Sequence, residues 1–581
     1  MQKIFGILLL ISGVALSSCE KSFLEVPLQS SSVTEDALAS RDGVQKLMVG
    51  TYHDLTGMSL SSRWWTTSGT NWQWSDVTSG DAYRGGTGSA NDEPEGVSIE
   101  LYQVQPSFSY ILNKFKAVYD GVARSNAVLR AITKAPDMTE AEKDEARGEA
   151  RFLRGHYHFQ GKIMWNKIPF IDENVIDFKV SNEPDIWPQI EADFRFAFDH
   201  MKAVRPYKGQ ANKWAAACYL AKTYMFQQKY QQAKLLLDSI ISMGTTAQGI
   251  KYDLNACFQD NFDGRYENSK EAVFQIQFSS EKEAYGYNSN LGEAPATPAM
   301  WQVSSWYASW KQPSFNLVNA FKTDNDGLPL LDTYNNVNMD NDMGIESWDW
   351  FVPYQGNVDP RLDWSVGRRG VPYLDYNYGV PNPGKDWINS HDFGGPYTPI
   401  KGVYRFDQQG TYSEYYTSGY LLSSAVNYNL IRFADVLLWA AECEVEIGDL
   451  NKAREYVNRI RTRAKDGCYV DVDYSTGSPS ATYVIGLYSN PWTNKDEARK
   501  AVRFERRLEL AMEGHRFFDL VRWGIAAEYI NAYLAVEKTR INHLQGVQFI
   551  KGKNEYYPLP QQEIDLSNVD GKPLLKQNPG Y

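Results

Sequence analysis

Residues 208–243 read KGQANKWAAACYLAKTYMFQQKYQQAKLLLDSIISM, and this stretch decides the fold. Leu220, Ala221 and Tyr224 precede the polar step Gln227-Gln228-Lys229, and Ala233, Leu237 and Ile240 follow it. Apolar residues three and four apart share one face of a helix. Two such faces joined by a short turn predict two antiparallel helices packed on each other. Small residues alternate with large ones, which lets the axes approach closely. Residues 434–463 repeat the order, with Ala440 and Ala441, a turn at Gly448, then Ala453, Val457 and Ile460. Asp449, just past the turn glycine, is placed to cap the second helix.

This order of small and large residues resembles a tetratricopeptide hairpin. Further amphipathic helices are predicted at about 109–133, 139–164, 184–203 and 495–523. The two hairpins lie roughly two hundred residues apart, so no continuous superhelical array is expected. From about 245 to 427 the chain turns to Gly, Pro, Asn, Asp, Tyr and Trp, with turn signals at Asn325-Asp326-Gly327 and Asn382-Pro383-Gly384. Alternation at Glu271 to Phe278 predicts one short strand. The fold class is therefore mainly α, a tetratricopeptide-like hairpin scaffold with a large irregular loop-rich insertion. Its parts are a signal peptide at 1–18, a tether at 19–33, and a helical part at 34–245 with a recognition loop near 59–107. An irregular ligand-binding region at 246–427 and a closing helical segment at 428–581 complete it. Loops this long on a rigid scaffold are where recognition concentrates.

The first residues address the chain. Lys3 precedes an apolar run from Ile4 to Val14, too short to span a bilayer. Leu16-Ser17-Ser18-Cys19 then closes a secretory signal in the manner of a bacterial lipobox, which predicts a lipid on Cys19. Each buried methylene of such a lipid contributes ~0.8 kcal/mol, so several acyl chains hold firmly. With Cys19 so used, Cys218, Cys257, Cys443 and Cys468 remain; four thiols in 581 residues make no disulfide framework, and whether any pair is left open. Cys218 and Cys443 fall on helical apolar patterns as small core residues.

Composition narrows the function. A net charge of −12 with a pI near 5.3 leaves no basic footprint for nucleic acid. The excess is aromatic, 17 Trp, 37 Tyr and 26 Phe, at a mean hydropathy of only −0.48.

Catalytic and phosphate motifs fail on inspection. Gly379 to Lys385 has a phosphate-loop spacing, but Pro381 and Pro383 lack the N–H groups such a loop needs, and Asp386 replaces the hydroxyl. His156 and His158, two apart on a helix, cannot share a metal. Glu505, Glu509 and Glu513 line one predicted helical face as a glycosidase pair might. Arg503, Arg506, Arg507 and Arg516 flank them, however, and favour ionised carboxylates where a general acid needs a raised pKa. They are read as an ion-pair helix. No cofactor and no metal is expected.

The aromatic loops suit a ligand instead. Trp64, Trp65, Trp72 and Trp74 precede Asp76, Asp81 and Arg84; Tyr285, Tyr287, Trp301, Trp306, Tyr307 and Trp310 form a second set; Trp348 and Trp350, before Arg368 and Arg369, a third. A sugar offers a C–H face that stacks on indole and hydroxyls that need Asp, Asn or Arg. The predicted ligand contacts are Trp72, Trp74, Asp81, Arg84, Trp301, Trp306 and Tyr307, converging from two loops, with Arg368 from the third set.

Several motifs resemble the SusD/RagB family of outer-membrane binding lipoproteins. They are the lipobox with Phe23-Leu24-Glu25-Val26-Pro27, Asp359-Pro360-Arg361-Leu362, and Asn429 to Leu438 running into Ala441-Glu442. Glu505-Arg506-Arg507 with Glu513 to Leu520, Arg522-Trp523-Gly524, Tyr557-Pro558-Leu559-Pro560 and Gln577 to Tyr581 follow in family order. The resemblance implies four tetratricopeptide-like hairpins, no catalysis, and a SusC-like TonB-dependent β-barrel importer as partner at the cell surface. It leaves the ligand open, since the matching motifs are scaffold. A glycan-binding importer subunit is the reading taken; a peptide-binding subunit, a surface glycosidase and a bare assembly scaffold are the alternatives.

Overall fold

The computed structural model describes residues 38–57, 64–87, 92–175, 177–280, 288–298, 308–376, 384–415, 422–473 and 478–581. Its longer helices are α1 Arg41–His53, α2 Ser109–Lys134, α3 Glu140–Trp165, α4 Trp187–His200, α5 Lys213–Phe226 and α6 Tyr230–Met243. After the insertion come α7 Phe433–Ile447, α8 Leu450–Asp466, α9 Lys495–Glu509, α10 Arg516–Arg522 and α11 Ala526–Glu537. Local chemistry sets their ends. Thr139 and Glu142 form a reciprocal capping box on α3, the Asn212 side chain accepts from Ala215 N to start α5, and Asp449 caps α8 as expected. Gln228 takes φ 56° to turn α5 into α6.

Consecutive helices pack on each other from α2 to α6, and α6 packs directly on α7, which packs on α8 and α9. The expectation of separated hairpins is therefore corrected: the scaffold is continuous in space. The physical reason is that closing a long loop costs little more than closing a short one. The two ends of the insertion are also tied, because β2 (Ala272–Ile276) pairs antiparallel with β4 (Tyr428–Arg432). The strand expected at 271–278 is thus present, and its partner is the segment leading into α7. Between them β1 (Ala82–Gly85) pairs with β3 (Trp310–Pro313), joining the first loop to the insertion.

One hydrophobic core runs through the scaffold, and the insertion holds a small core of its own around Tyr373, Tyr376, Trp387, Ile400 and Tyr404. Cys218 and Cys443 are buried and free. Cys257 and Cys468 form a disulfide with Cα atoms 5.2 Å apart, which ties the start of the insertion to the residues just beyond α8. A bond closing so long a loop constrains the unfolded chain and suits an oxidising compartment.

The helix expected at 495–523 breaks between α9 and α10. Gly514 has φ +71°, and a Cβ there would meet Thr70 O at 2.2 Å. Its N–H donates to Asp76 Oδ1 at 2.9 Å, so the break is fixed by the first loop. Among the described residues no helix is long and apolar enough to cross a membrane. The signal segment, Cys19 and the phosphate-loop lookalike at 379–383 lie outside the described residues.

Candidate ligand-binding surface

Five of the predicted contacts belong to the core, which corrects their assignment as surface residues. Trp72 is fully buried, its Nε1 donating to Gly292 O at 2.9 Å. Trp74 donates to Thr66 O at 3.2 Å and meets the Tyr557 ring edge-on at 5.1 Å. Asp81 accepts from Arg507 Nε and Nη2 at 2.9 and 2.7 Å. Arg84 lies with its guanidinium 3.8 Å from the centre of the Trp310 ring and donates to Gly85 O and Asp92. Arg368 binds both oxygens of Asp363, at 2.7 and 2.9 Å. The cause is the same throughout: a buried indole or guanidinium must find acceptors, and these loops supply backbone carbonyls and carboxylates inside the fold. Trp301, Trp306 and Tyr307 lie outside the described residues.

The expected convergence of the two loops does occur, through pairing rather than ligand. Gly85 stands opposite Trp310, and Gly86 N donates to Ser309 O at 2.9 Å. The described chain on the two sides, at Gly86 and Ser309, therefore lies together.

Among the described residues of the three aromatic sets, the strongly exposed ones belong to the third. Trp348 and Trp350 are 78% and 88% exposed, on a loop with its own brace. Arg369 donates from Nη1 to Glu346 O at 3.0 Å, and from Nη2 to Ser347 O at 2.9 Å and Asp349 O at 2.6 Å. Its guanidinium also lies 5.3 Å from the Phe351 ring. Lys385 pairs with Glu346, and Asp386 N donates to Ser347 Oγ at 2.9 Å. A large apolar side chain held out into water by three charge-assisted backbone bonds is unusual without a partner. The brace connects to the other loops as well. Ser309 Oγ donates to Trp387 O at 3.4 Å and accepts from Asn389 N at 3.2 Å. The turn at 385–389 thus stands between the indole pair and the point where the first two loops meet. Adjacent arginines divide the work, Arg368 holding the core and Arg369 the platform; sequence gave no sign of which was which.

The carboxylates are structural. Glu509 is fully buried among Arg361 at 2.9 Å, Arg432 and Arg463. Glu505 meets Arg361 at 2.7 Å and Arg461 at 2.8 Å, and Glu513 meets Arg432 at 2.9 Å and Lys401 at 2.7 Å. Asp359 and Glu271 complete the array on Arg361, Arg432 and Arg463. Burial pushes the Glu509 carboxyl up, but Arg463, Arg432 and Arg361 outweigh it and hold the group well below its ordinary range. Burial opposed in the same way by Arg432 and Lys401 leaves Glu513 at about 2. Neither can act as a general acid near neutrality. The ion-pair reading of the sequence holds, with different partners. Arg506 reaches Asp435 and Asp519, and Arg507 reaches Asp81, while the glutamates are met by arginines of other segments. His156 and His158 are core residues, bonded to Tyr219 OH and to Ile171 N, and burial lowers both to about 3.

These features define a class, a tetratricopeptide-like helical scaffold carrying a loop-built insertion with an exposed pair of indoles. The family follows from comparison. A model described as the SusD family matches residues 270–581, and one described as "Starch-binding associating with outer membrane" matches residues 23–225. The chain belongs to the SusD family. It is similar to SusD-like protein P25 of Formosa agariphila, 23% identical over 83% of this chain and 81% of that one. A SusD-like protein of Bacteroides ovatus is 23% identical over 88% of this chain and 89% of its own. Among solved structures, a laminarin-binding SusD-like protein superposes with a TM-score of 0.58 at 21% identity, covering 93% of this chain and all of that one. Surface glycan-binding protein A from Bacteroides fluxus does so with 0.64 at 20% identity and the same coverage.

The family motifs now have physical meaning. Asp359 and Arg361, Arg432, and Glu505, Glu509 and Glu513 are the ion-pair array itself. Tyr557 donates to Trp74 O at 2.9 Å, and Asn578 Nδ2 donates to Trp165 O and Tyr557 O, both at 2.8 Å.

Proposed function

We propose that the chain is the cell-surface glycan-binding subunit of a TonB-dependent outer-membrane uptake complex, anchored by lipid on Cys19 and holding its ligand without cleaving it. The observation that carries the reading is the braced, exposed pair Trp348 and Trp350. Indole faces stack on the C–H face of a sugar ring, and two of them two residues apart suit an extended chain. Family membership and the likeness to a laminarin-binding and a surface glycan-binding protein support the ligand class. The site proposed at the start shifts accordingly: Trp72, Trp74, Asp81, Arg84 and Arg368 build the foundation, and Trp301, Trp306 and Tyr307 are proposed to extend the platform. A SusC-like β-barrel is the partner proposed.

Trp348→Ala and Trp350→Ala are each expected to weaken binding by ~2 kcal/mol, about thirtyfold, with melting unchanged. A glycan array on the chain lacking residues 1–19, with peptides as a second arm, identifies the ligand, and isothermal titration reads the loss. Wild-type affinity in both variants would sink the site; capture of peptides alone would replace the ligand class. No reducing ends should be released from any bound glycan. Cys19→Ala should leave the protein unprocessed or free of the membrane fraction while its fold survives, and firm membrane retention of that variant would end the anchoring claim.

A further inference from the structure

A groove of about 610 Å³ runs between α1, the N-terminal half of α3 and the turn at 206–210, remote in sequence from the indole platform. Buried Val44 and Met48 of α1 line it with half-buried Met138, while Val49 and Tyr207 stand 64% and 61% exposed beside Pro206. Apolar side chains left open around a concave surface mark a contact waiting to be made.

We infer that this groove is the docking site of the chain's own segment Phe23–Leu28. Three observations point to that occupant. The described chain begins at Leu38, three residues before Arg41, and Arg41 itself lines the groove. The preceding sequence divides sharply: residues 29–36 are polar but for Val33, as a tether requires, whereas Phe23-Leu24-Glu25-Val26-Pro27-Leu28 is apolar in five of its six positions. A tether has no use for such a cluster in water. Reach is sufficient, because the ten residues from Leu28 to Leu38 extend up to ~33–36 Å. The thirteen residues of α1, whose face forms one wall, measure about 20 Å. Pro27 favours extended backbone before it, which fits a groove better than a helix would. Covalent attachment presents the segment at an effective concentration on the order of millimolar, so a weak contact is enough to keep it seated. The docked segment would fix where the body of the protein stands relative to its anchored end, and the inference is independent of the glycan reading.

The test uses the full lipoprotein in cell envelopes with Leu24→Cys and Val49→Cys together. Cys218 and Cys443 are buried and Cys257 is paired with Cys468, so the new thiols are the reactive ones. Under a mild thiol oxidant, an intramolecular disulfide between positions 24 and 49 should form about tenfold faster than between 24 and 46 in Leu24→Cys with Lys46→Cys, Lys46 being exposed on the same helix but outside the groove. Equal rates overturn the inference, as does a 49-to-49 bond between two copies. Should the double variant fail to accumulate, hydrogen exchange on the unaltered lipoprotein decides. The amides of residues 23–26 and 28 should then exchange about tenfold more slowly than those of 30–36, and equal exchange overturns the inference.

Discussion

Glu509→Gln is expected to destabilise the fold by about 3–5 kcal/mol without touching ligand affinity in the protein that remains folded. The carboxylate is fully buried and faces Arg361, Arg432 and Arg463. An amide of the same shape leaves three guanidiniums with their mutual repulsion and without the anion that gathers them. Chemical denaturation of wild type and variant reads the loss. Adding Arg463→Met to the variant should recover part of it, because one of the stranded cations is then gone. A variant as stable as wild type would mean the array is neutral, and the scaffold role of the family motifs would fall with it. Acid provides an independent reading. Glu513 is held at about 2 in the folded protein and titrates near 4.5 when unfolded, and Glu509 is likewise depressed. Groups with lowered folded pKa values contribute stability that is complete above the unfolded pKa and is lost as pH falls towards the folded one. Stability should therefore decline from about pH 4.5 downwards to about pH 2, and the decline should be shallower in Glu509→Gln.

How much of this was legible beforehand depends on whether a residue's surroundings are local. Helices α2, α3, α5, α6, α7 and α8 are written in apolar spacing and end signals; α2, α3, α6 and α7 stand within a residue of where periodicity puts them, while α5 starts five residues inside its expected stretch and α8 runs three residues past it. The continuity of α6 with α7 was hidden, since nothing in sequence says that two ends of a long insertion meet at β2 and β4. The break at Gly514 was hidden for a similar reason, its cause being Asp76 and Thr70 far along the chain. At the site the difficulty was sharper. Tryptophan beside aspartate and arginine has the same composition whether it lines a surface or plugs a core. The first loop turned out to be a plug because its indole N–H groups find carbonyls at Thr66 and Gly292. The exposed pair at 348 and 350 is set apart by Arg369, whose three carbonyl partners become visible once the loop has a shape, and by the turn at 385–386 that ties Glu346 and Ser347.

That distinction makes the second large prediction. Trp74→Ala should destabilise the protein by about 3–5 kcal/mol, the cost of emptying a large aromatic site in a packed core. Three losses coincide there. Thr66 O is left without the indole donor, Tyr557 loses the ring it packs against, and the volume of an indole must be filled or left void. Tyr557 matters beyond itself, because its hydroxyl reaches both Trp74 O and Thr78 and so joins the first loop to the C-terminal segment. Trp350→Ala removes as large a side chain from a position 88% exposed, so it should leave the melting curve in place and take the affinity away. The two variants are therefore expected to separate completely, one in stability with its folded fraction binding as wild type, the other in binding alone. A Trp74→Ala protein that melts like wild type yet binds weakly would place recognition in the first loop after all. The platform at 348 and 350 would then lose its claim to be the site.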